Sequence, residues 1–364
     1  MFVGSSPINP QNNGPFPSIP HSRLEVGPEA VRAVIAVLES GRLAQGSEVE
    51  ALEREMAAGL GAGQDIVVVS SGTAALYLAL AALGAGPGRR VIIPSYTCPS
   101  VYAAVAHTGA VPVCADVGAD SVVLTPETVA PLIGPDVAAI VAPHMFGFEA
   151  DIAGLQQWGI PVVEDCAQAC GGVGADGRPL GAKGDLAVFS FYATKLLPGG
   201  EGGACATCHP EWARRIRQWR ACDEQPLHPR AFNFKSSDLA AALVRVQLRR
   251  LSVALTRRRA LADRYDAVLG AASFRRRSRQ LQPVCFRYLV EVAGPLEPIL
   301  ESCRSAGVVC RRPVWDPLHR TLGGACPVAE DCHARLLSVP FYPSLTDAEV
   351  DRILDVLMAR LARP

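Results

Sequence analysis

Phe189-Ser190-Phe191-Tyr192-Ala193-Thr194-Lys195-Leu196-Leu197-Pro198-Gly199-Gly200-Glu201-Gly202-Gly203 places one lysine between an apolar, strand-like run and a glycine-rich loop. As a purely structural choice this is costly, because removing an ammonium from water disfavours its charged form. The same burial is useful if the amine must lose its proton and attack a carbonyl. Upstream, Val162-Val163-Glu164-Asp165-Cys166-Ala167-Gln168-Ala169 is another apolar run that ends in carboxylates. A strand-end acid followed by a strand-end lysine meets the needs of pyridoxal 5'-phosphate (PLP). Lys195 would bond the aldehyde, and Asp165 would keep a proton on the pyridine nitrogen so that the ring accepts electrons.

The phosphate needs a cradle, and Ile66-Val67-Val68-Val69 followed by Ser70-Ser71-Gly72-Thr73 and Ala74-Ala75-Leu76-Tyr77-Leu78-Ala79-Leu80 offers one. Strand, small polar turn and helix start together present backbone N–H groups and a positive dipole end to an anion. Gly72 permits close approach, and the Ser71 and Thr73 hydroxyls add donors. Taken alone, Ser-Gly-Thr before a helix reads more often as a simple cap. With Asp165, Gln168, Ser190 and Lys195 following in order, it reads as part of a cofactor site.

From about Ile19 to the C-terminus the chain resembles the DegT/DnrJ/EryC1/StrS family of PLP-dependent sugar aminotransferases, of fold type I. The matching stretches are Ser71-Gly72-Thr73-Ala74-Ala75-Leu76, Pro94-Ser95-Tyr96-Thr97, His144-Met145-Phe146-Gly147, Glu164-Asp165-Cys166-Ala167-Gln168-Ala169 and Ser190-Phe191-Tyr192-Ala193-Thr194-Lys195. They continue with Gly200-Glu201-Gly202-Gly203-Ala204, Asn233-Phe234-Lys235, Pro317-Leu318-His319 and Val339-Pro340-Phe341-Tyr342-Pro343. The resemblance implies that Lys195 bonds the cofactor, that Asp165 partners the pyridinium and that Gln168 lies beside the ring hydroxyl. Ser190, Ser71, Gly72 and Thr73 would hold the phosphate, with Asn233 supplied by the other subunit of a homodimer. Asn233 between Phe232 and Phe234 also reads as a local turn cap. The chain departs from the family at Cys98, where an aromatic residue usually stacks on the cofactor. Tyr192 stands for the usual His, and Leu196 for a frequent Asn. Tyr192 and His319 become candidate substrate contacts, although His319 also suits an ordinary surface loop. Tyr342, between apolar neighbours, reads as packing.

Composition suits an enzyme of this kind. The 364 residues are 49% hydrophobic and 19% charged, enough apolar surface for a large core. Lys+Arg 35 against Asp+Glu 35 gives a formal net charge of zero, so nothing points to nucleic acid or an anionic membrane as partner. Arg257-Arg258-Arg259 and Arg275-Arg276-Arg277 read as solvated faces. No apolar run approaches the ~20 residues of a membrane span, and no secretion signal opens the chain; the expected location is the cytoplasm. The 12 cysteines are scattered, as reduced thiols are. Cys205-Ala206-Thr207-Cys208-His209 spells a haem-attachment pattern. It falls where the resemblance expects a strand, so it reads as coincidence, and no metal site is expected.

Residues 1–20, rich in Pro and Asn-Gly, read as an extended arm. Helices are expected over 29–40 and 47–60. Apolar strands at 66–69, 91–93, 111–114, 138–142, 162–164 and 186–189 alternate with helical stretches, which means a mostly parallel sheet covered on both faces. Ligands bind at the carboxyl ends of such strands. After a helix at 251–269 come short strands near 285–292, then helices at 296–306 and 347–361. The expected fold is therefore α/β: a large PLP-binding domain over 21–250, with a mostly parallel sheet of the seven-stranded type that the resemblance implies, and a small C-terminal α/β domain over 251–364. The expected reaction moves an amino group from an amino acid, by resemblance L-glutamate, to a keto-sugar carried on a nucleotide. A keto-cyclitol acceptor and a non-catalytic, PLP-binding regulatory role stay open. So does a cysteine desulfurase of the same fold. A sugar dehydratase of the family would lack Lys195.

Overall fold

Short runs of Val, Ile and Ala build the central sheet, because branched side chains fill both faces of a buried strand. The computed structural model describes residues 17–361 except 62, 119, 224–227 and 279–280. Residues 1–16 of the expected arm lie outside the described residues. Seven strands form the sheet: β1 (Asp65–Val69), β2 (Arg90–Pro94), β3 (Val111–Ala115), β4 (Val137–Pro143), β5 (Val162–Asp165), β6 (Leu186–Ser190) and β7 (Gly203–Thr207). Their order is β1-β7-β6-β5-β4-β2-β3. The β2–β3, β2–β4, β4–β5 and β5–β6 pairs are parallel, and β7 runs antiparallel to both β1 and β6. The carboxyl ends of β1, β2, β4, β5 and β6 therefore share one edge, where β7 begins at Gly203. The apolar pattern located six of these strands. The seventh, Gly203-Ala204-Cys205-Ala206-Thr207, is built of small residues and was placed by the resemblance alone.

Helices cover both faces. α1 (Pro28–Ser40) and α2 (Ser47–Leu60) pack against a long helix, Asp238–Leu269. α3 (Gly72–Ala82) packs on β6 and β7, and Leu78, Ala79 and Leu80 are fully buried. Each such leucine contributes on the order of 2 kcal/mol by leaving water. The long helix begins at Asp238, not at residue 251, and continues unbroken for 32 residues. Ser237 caps it by accepting the Ala240 N–H. The buried Asp238 carboxylate accepts the Gly46 and Val49 N–H groups, tying this start to that of α2.

The C-terminal part carries a two-stranded antiparallel sheet of β8 (Leu289–Glu291) and β9 (Leu336–Ser338). An apolar cluster of its own joins Leu261, Tyr265, Tyr288, Phe341 and Ile353. Ile19 is buried in that cluster and bridges Val308.

Candidate active site

The shared strand edge opens into a cleft of about 390 Å³ lined by Ser71, Gly72, Thr73, Cys98, His144, Asp165, Gln168, Ser190, Tyr192 and Lys195. Nine of the ten residues expected at the cofactor or beside it thus meet in one place once Tyr192 is counted, with only Asn233 elsewhere; His144 was quoted in a motif but given no role.

One end of the cleft is an anion cradle. Ser71 is extended, and its Oγ accepts the Ala74 N–H at 3.0 Å to cap α3. No acidic residue lies in the first turn of α3, so the positive dipole end is left for a ligand. A β-carbon on Gly72 would stand 2.8 Å from the Ser190 Cβ, and one on Gly203 would stand 2.5 Å from the Ser71 carbonyl carbon. Glycine at both positions lets β6 and β7 close on the helix start. The result brings the Ser71, Thr73 and Ser190 hydroxyls to the end of a helix dipole, which suits a phosphate.

At the other end Asp165 closes β5 and is buried. Its Oδ1 accepts the Ala167 N–H at 3.0 Å, while among the described residues Oδ2 accepts no hydrogen bond. Burial pushes its carboxyl up, against the Ala167 N–H and the Lys195 charge, which favour ionisation. A ligand N–H facing Oδ2 would complete this group. Gln168 Oε1 accepts the Phe146 N–H at 2.8 Å, which fixes the amide beside Asp165 and supports Phe146 at φ 55°.

The sequence contains three lysines. Lys183 is ion-paired with Glu149 and Asp176, and Lys235 with Asp223. Lys195, among the described residues, has no carboxylate at ion-pair distance; its Nζ lies 5.5 Å from the centre of the Phe286 ring. Burial lowers its pKa, with the Asp165 charge opposing the shift. That environment favours a neutral, nucleophilic amine.

Beneath the cleft, His144 donates its backbone N–H to the Asp165 carbonyl oxygen at 3.1 Å. Its Nδ1 accepts the Ala150 N–H, so the proton sits on Nε2 and is donated to Glu164 Oε2 at 3.0 Å. Glu164 is fully buried and also accepts the N–H groups of Gly181, Lys183 and Gly184. Burial pushes its carboxyl up, but the His144 hydrogen bond and the backbone donors hold it below its ordinary value. His144, Glu164 and Cys166 form a cluster of metal-ligating types. Both imidazole nitrogens and both carboxylate oxygens are already taken, so this knot positions β5 and the turn after β4.

Other expectations resolve differently. Cys98 is exposed at the cap of α4 (Pro99–Thr108), and its Sγ lies 3.1 Å from Ser100 Oγ. A thiol thus occupies the wall where an aromatic face was expected. Tyr192 is 44% exposed at the cleft mouth. His319 lies away from the cleft: it is buried, its Nδ1 is 2.5 Å from Ser95 Oγ, and its Nε2 is 3.0 Å from Glu330. Asn233 is exposed and lines a second cavity that shares Ser71 and Thr73 with the first. Among the described residues its side chain caps no turn. The arginine run 257–259 is no solvated face, because Arg258 is 7% exposed and donates to the Cys285, Phe286 and Phe341 carbonyls. Cys205 is buried within β7 while Cys208 is exposed, so the haem-like spelling does not present two thiols to one ligand.

A family model described as the DegT/DnrJ/EryC1/StrS aminotransferase family matches residues 25–358. The chain belongs to this family. It is 31% identical to the aminotransferase TlmJ from Streptoalloteichus hindustanus, with 94% of this chain and 99% of that one covered and a TM-score of 0.88. DesV of S. venezuelae is 30% identical over 96% and 100% of the two chains, with a TM-score of 0.89. DesI, solved in the presence of its TDP-sugar product, is 28% identical over 95% and 93%, with a TM-score of 0.86. Structures of a Streptococcus pneumoniae relative at 25% identity exist in PLP and PMP forms. The chain is a PLP-dependent aminotransferase with the fold of the sugar aminotransferases.

Proposed function

We propose that this enzyme transfers the amino group of L-glutamate to a keto-sugar carried on a nucleotide, with Lys195 as the catalytic base. The observation that carries the assignment of Lys195 is its isolation: among the described residues Lys183 and Lys235 are ion-paired, whereas Lys195 meets no carboxylate at ion-pair distance, faces the cleft and has its pKa lowered by burial. Support for the nucleotide comes from DesI, whose TDP-sugar product is that of a protein with the same fold.

When bound, PLP supplies an electron sink that makes a donor's α-proton acidic. The residues present fit it: an anion cradle closed by Gly72 and Gly203, a free carboxylate oxygen on Asp165, and a lowered-pKa amine. Ser71, Thr73 and Ser190 would hold the phosphate, and Asp165 would face the pyridine nitrogen. There a carboxylate that burial makes reluctant to ionise gains a cationic partner. Gln168, held by the Phe146 N–H, would stand beside the ring hydroxyl. Lys195 Nζ would take the proton from the donor's α-carbon and hold it for return, as the base of the transfer. The acceptor half-reaction reverses these movements.

A homodimer whose sites are completed by the partner belongs to the same proposal, since Asn233 is exposed, uncapping and outside its own cleft. Co-refolding inactive Lys195→Ala and Asn233→Ala chains should restore activity, because a mixed dimer would hold one intact site. No recovery would refute sharing. The reaction itself is tested by incubating the enzyme with L-glutamate and a panel of keto-sugar nucleotides, read by mass. An amino-sugar product is expected; conversion of free keto-sugars or keto-cyclitols only would overturn the nucleotide assignment.

A further inference from the structure

Lys195 also lines a third cavity, of about 330 Å³, between the long helix and the segment 341–344. Several guanidinium groups face it, and most are already paired. Arg23 meets Glu349, Arg250 meets Glu25 and Arg257 meets Asp347. Arg258 spends its Nη1 on three carbonyls.

Arg287 is different. Its Nη1 lies 3.2 Å from His21 Nδ1, and among the described residues it has no carboxylate partner. A guanidinium has five N–H donors, so among the described residues most of this one is unspent. Burial lowers its pKa to about 10, and the charges acting on it most strongly are the guanidinium groups of Arg258 and Arg311. Two further polar groups line the same cavity and have no hydrogen-bond partner among the described residues: the Tyr342 hydroxyl, on a residue 2% exposed, and the Ser344 Oγ. Buried donors left unsatisfied around a buried positive charge mark a site that a ligand completes.

We propose that this cavity binds a carboxylate of the amino-acid donor, with Arg287 as its ion-pair partner and the Tyr342 hydroxyl as a second donor. The position favours a carboxylate over a sugar-linked phosphate. Lys195 Nζ and Arg287 Cζ lie 5.5 and 4.9 Å from the centre of one ring, that of Phe286. Lys195 lines both cavities, and in an α-amino acid the carboxylate carbon is two bonds from the nitrogen, so an amine brought to Lys195 stands beside the cavity that Arg287 lines. The inference rests on the proposed function and adds the group that selects its donor.

The test uses PLP-loaded protein and glutarate, a dicarboxylate without an amine that binds but cannot react, with thymidine diphosphate as the phosphate probe. By titration calorimetry, Arg287→Gln should raise the Kd for glutarate at least ~tenfold, as expected for loss of a buried charge pair, and leave the diphosphate within about twofold. Arg287→Lys should recover part of the loss. Tyr342→Phe, which keeps the ring, should weaken glutarate about threefold through one lost hydrogen bond. Retained cofactor absorbance shows that each variant is folded; if Arg287→Gln loses cofactor, the other two variants carry the test. Glutarate binding unchanged in Arg287→Gln and Tyr342→Phe, no glutarate binding by the wild type, or loss of the diphosphate instead would overturn the proposal. Because glutarate undergoes no transfer, a wrong acceptor class would leave this result standing.

Discussion

Gly72 at the start of α3 and Ser190 at the end of β6 approach so closely that a β-carbon on the glycine would stand 2.8 Å from the Ser190 Cβ. Residues 118 positions apart thus form one wall of the phosphate cradle. Gly72→Ala should push the helix start away from β6. Overpacking of this kind costs about 1–3 kcal/mol. The larger effect should be on the cofactor, with PLP affinity reduced at least ~tenfold because the helix dipole and Ser190 no longer converge. Equilibrium titration with PLP measures it; unchanged affinity would mean that the phosphate binds elsewhere.

Asp165 carries a stability cost when the cofactor is absent. Burial raises its carboxyl above the ordinary 3.8. Between 3.8 and the raised value the folded chain holds the proton more tightly than the unfolded chain, so stability falls as pH rises through that window. The cost grows as pH rises above 3.8 and is complete only above the raised value. Cofactor-free Asp165→Asn should therefore melt above the wild type at pH 7, with the gap closing as pH falls below 3.8. With PLP bound the order should reverse, and turnover should fall by ~10²-fold or more, because the amide cannot hold the ring proton. Thermal melts across pH, with and without PLP, check both halves. A cofactor-free variant that melts lower than the wild type contradicts this reading.

Glu164 fixes the floor of the cleft through four N–H donors: His144 Nε2 and the backbone of Gly181, Lys183 and Gly184. Glu164→Gln replaces one acceptor oxygen with an NH₂ group and sets donor against donor whichever way the amide turns. The expected loss is on the order of 3 kcal/mol, the usual result of breaking a buried charged network. Denaturant unfolding measures it. A change under about 0.5 kcal/mol, typical of surface positions, would show that the knot is dispensable.

Asp165, Ser190 and Lys195 were legible in the sequence because each ends or follows an apolar strand, where a polar residue has few structural uses. The Ser71–Thr73 turn gained meaning only from their company. β7 was not legible from pattern, since Ala204, Cys205 and Ala206 are small rather than branched and form a strand because neighbours exist on both sides. Arg258 misled because three consecutive arginines point in three directions on a helix, and a charge run does not say which one faces the core. The Arg287 cavity was out of reach for another reason. It is assembled from segments 250–258, 286–287 and 341–344, whose proximity only the fold creates. His319 matched a motif by spelling, yet its hydrogen bonds to Ser95 and Glu330 turn it away from the cleft.

The identity of the cofactor-bearing lysine is the central claim, and three lysines make it a sharp one. PLP-loaded protein would be reduced with borohydride, digested and read by mass spectrometry. The account predicts cofactor mass on the peptide that carries Lys195, none on those that carry Lys183 or Lys235, and none anywhere in Lys195→Ala. Modification of Lys183 or Lys235 in the wild type, or an unmodified Lys195, would contradict it.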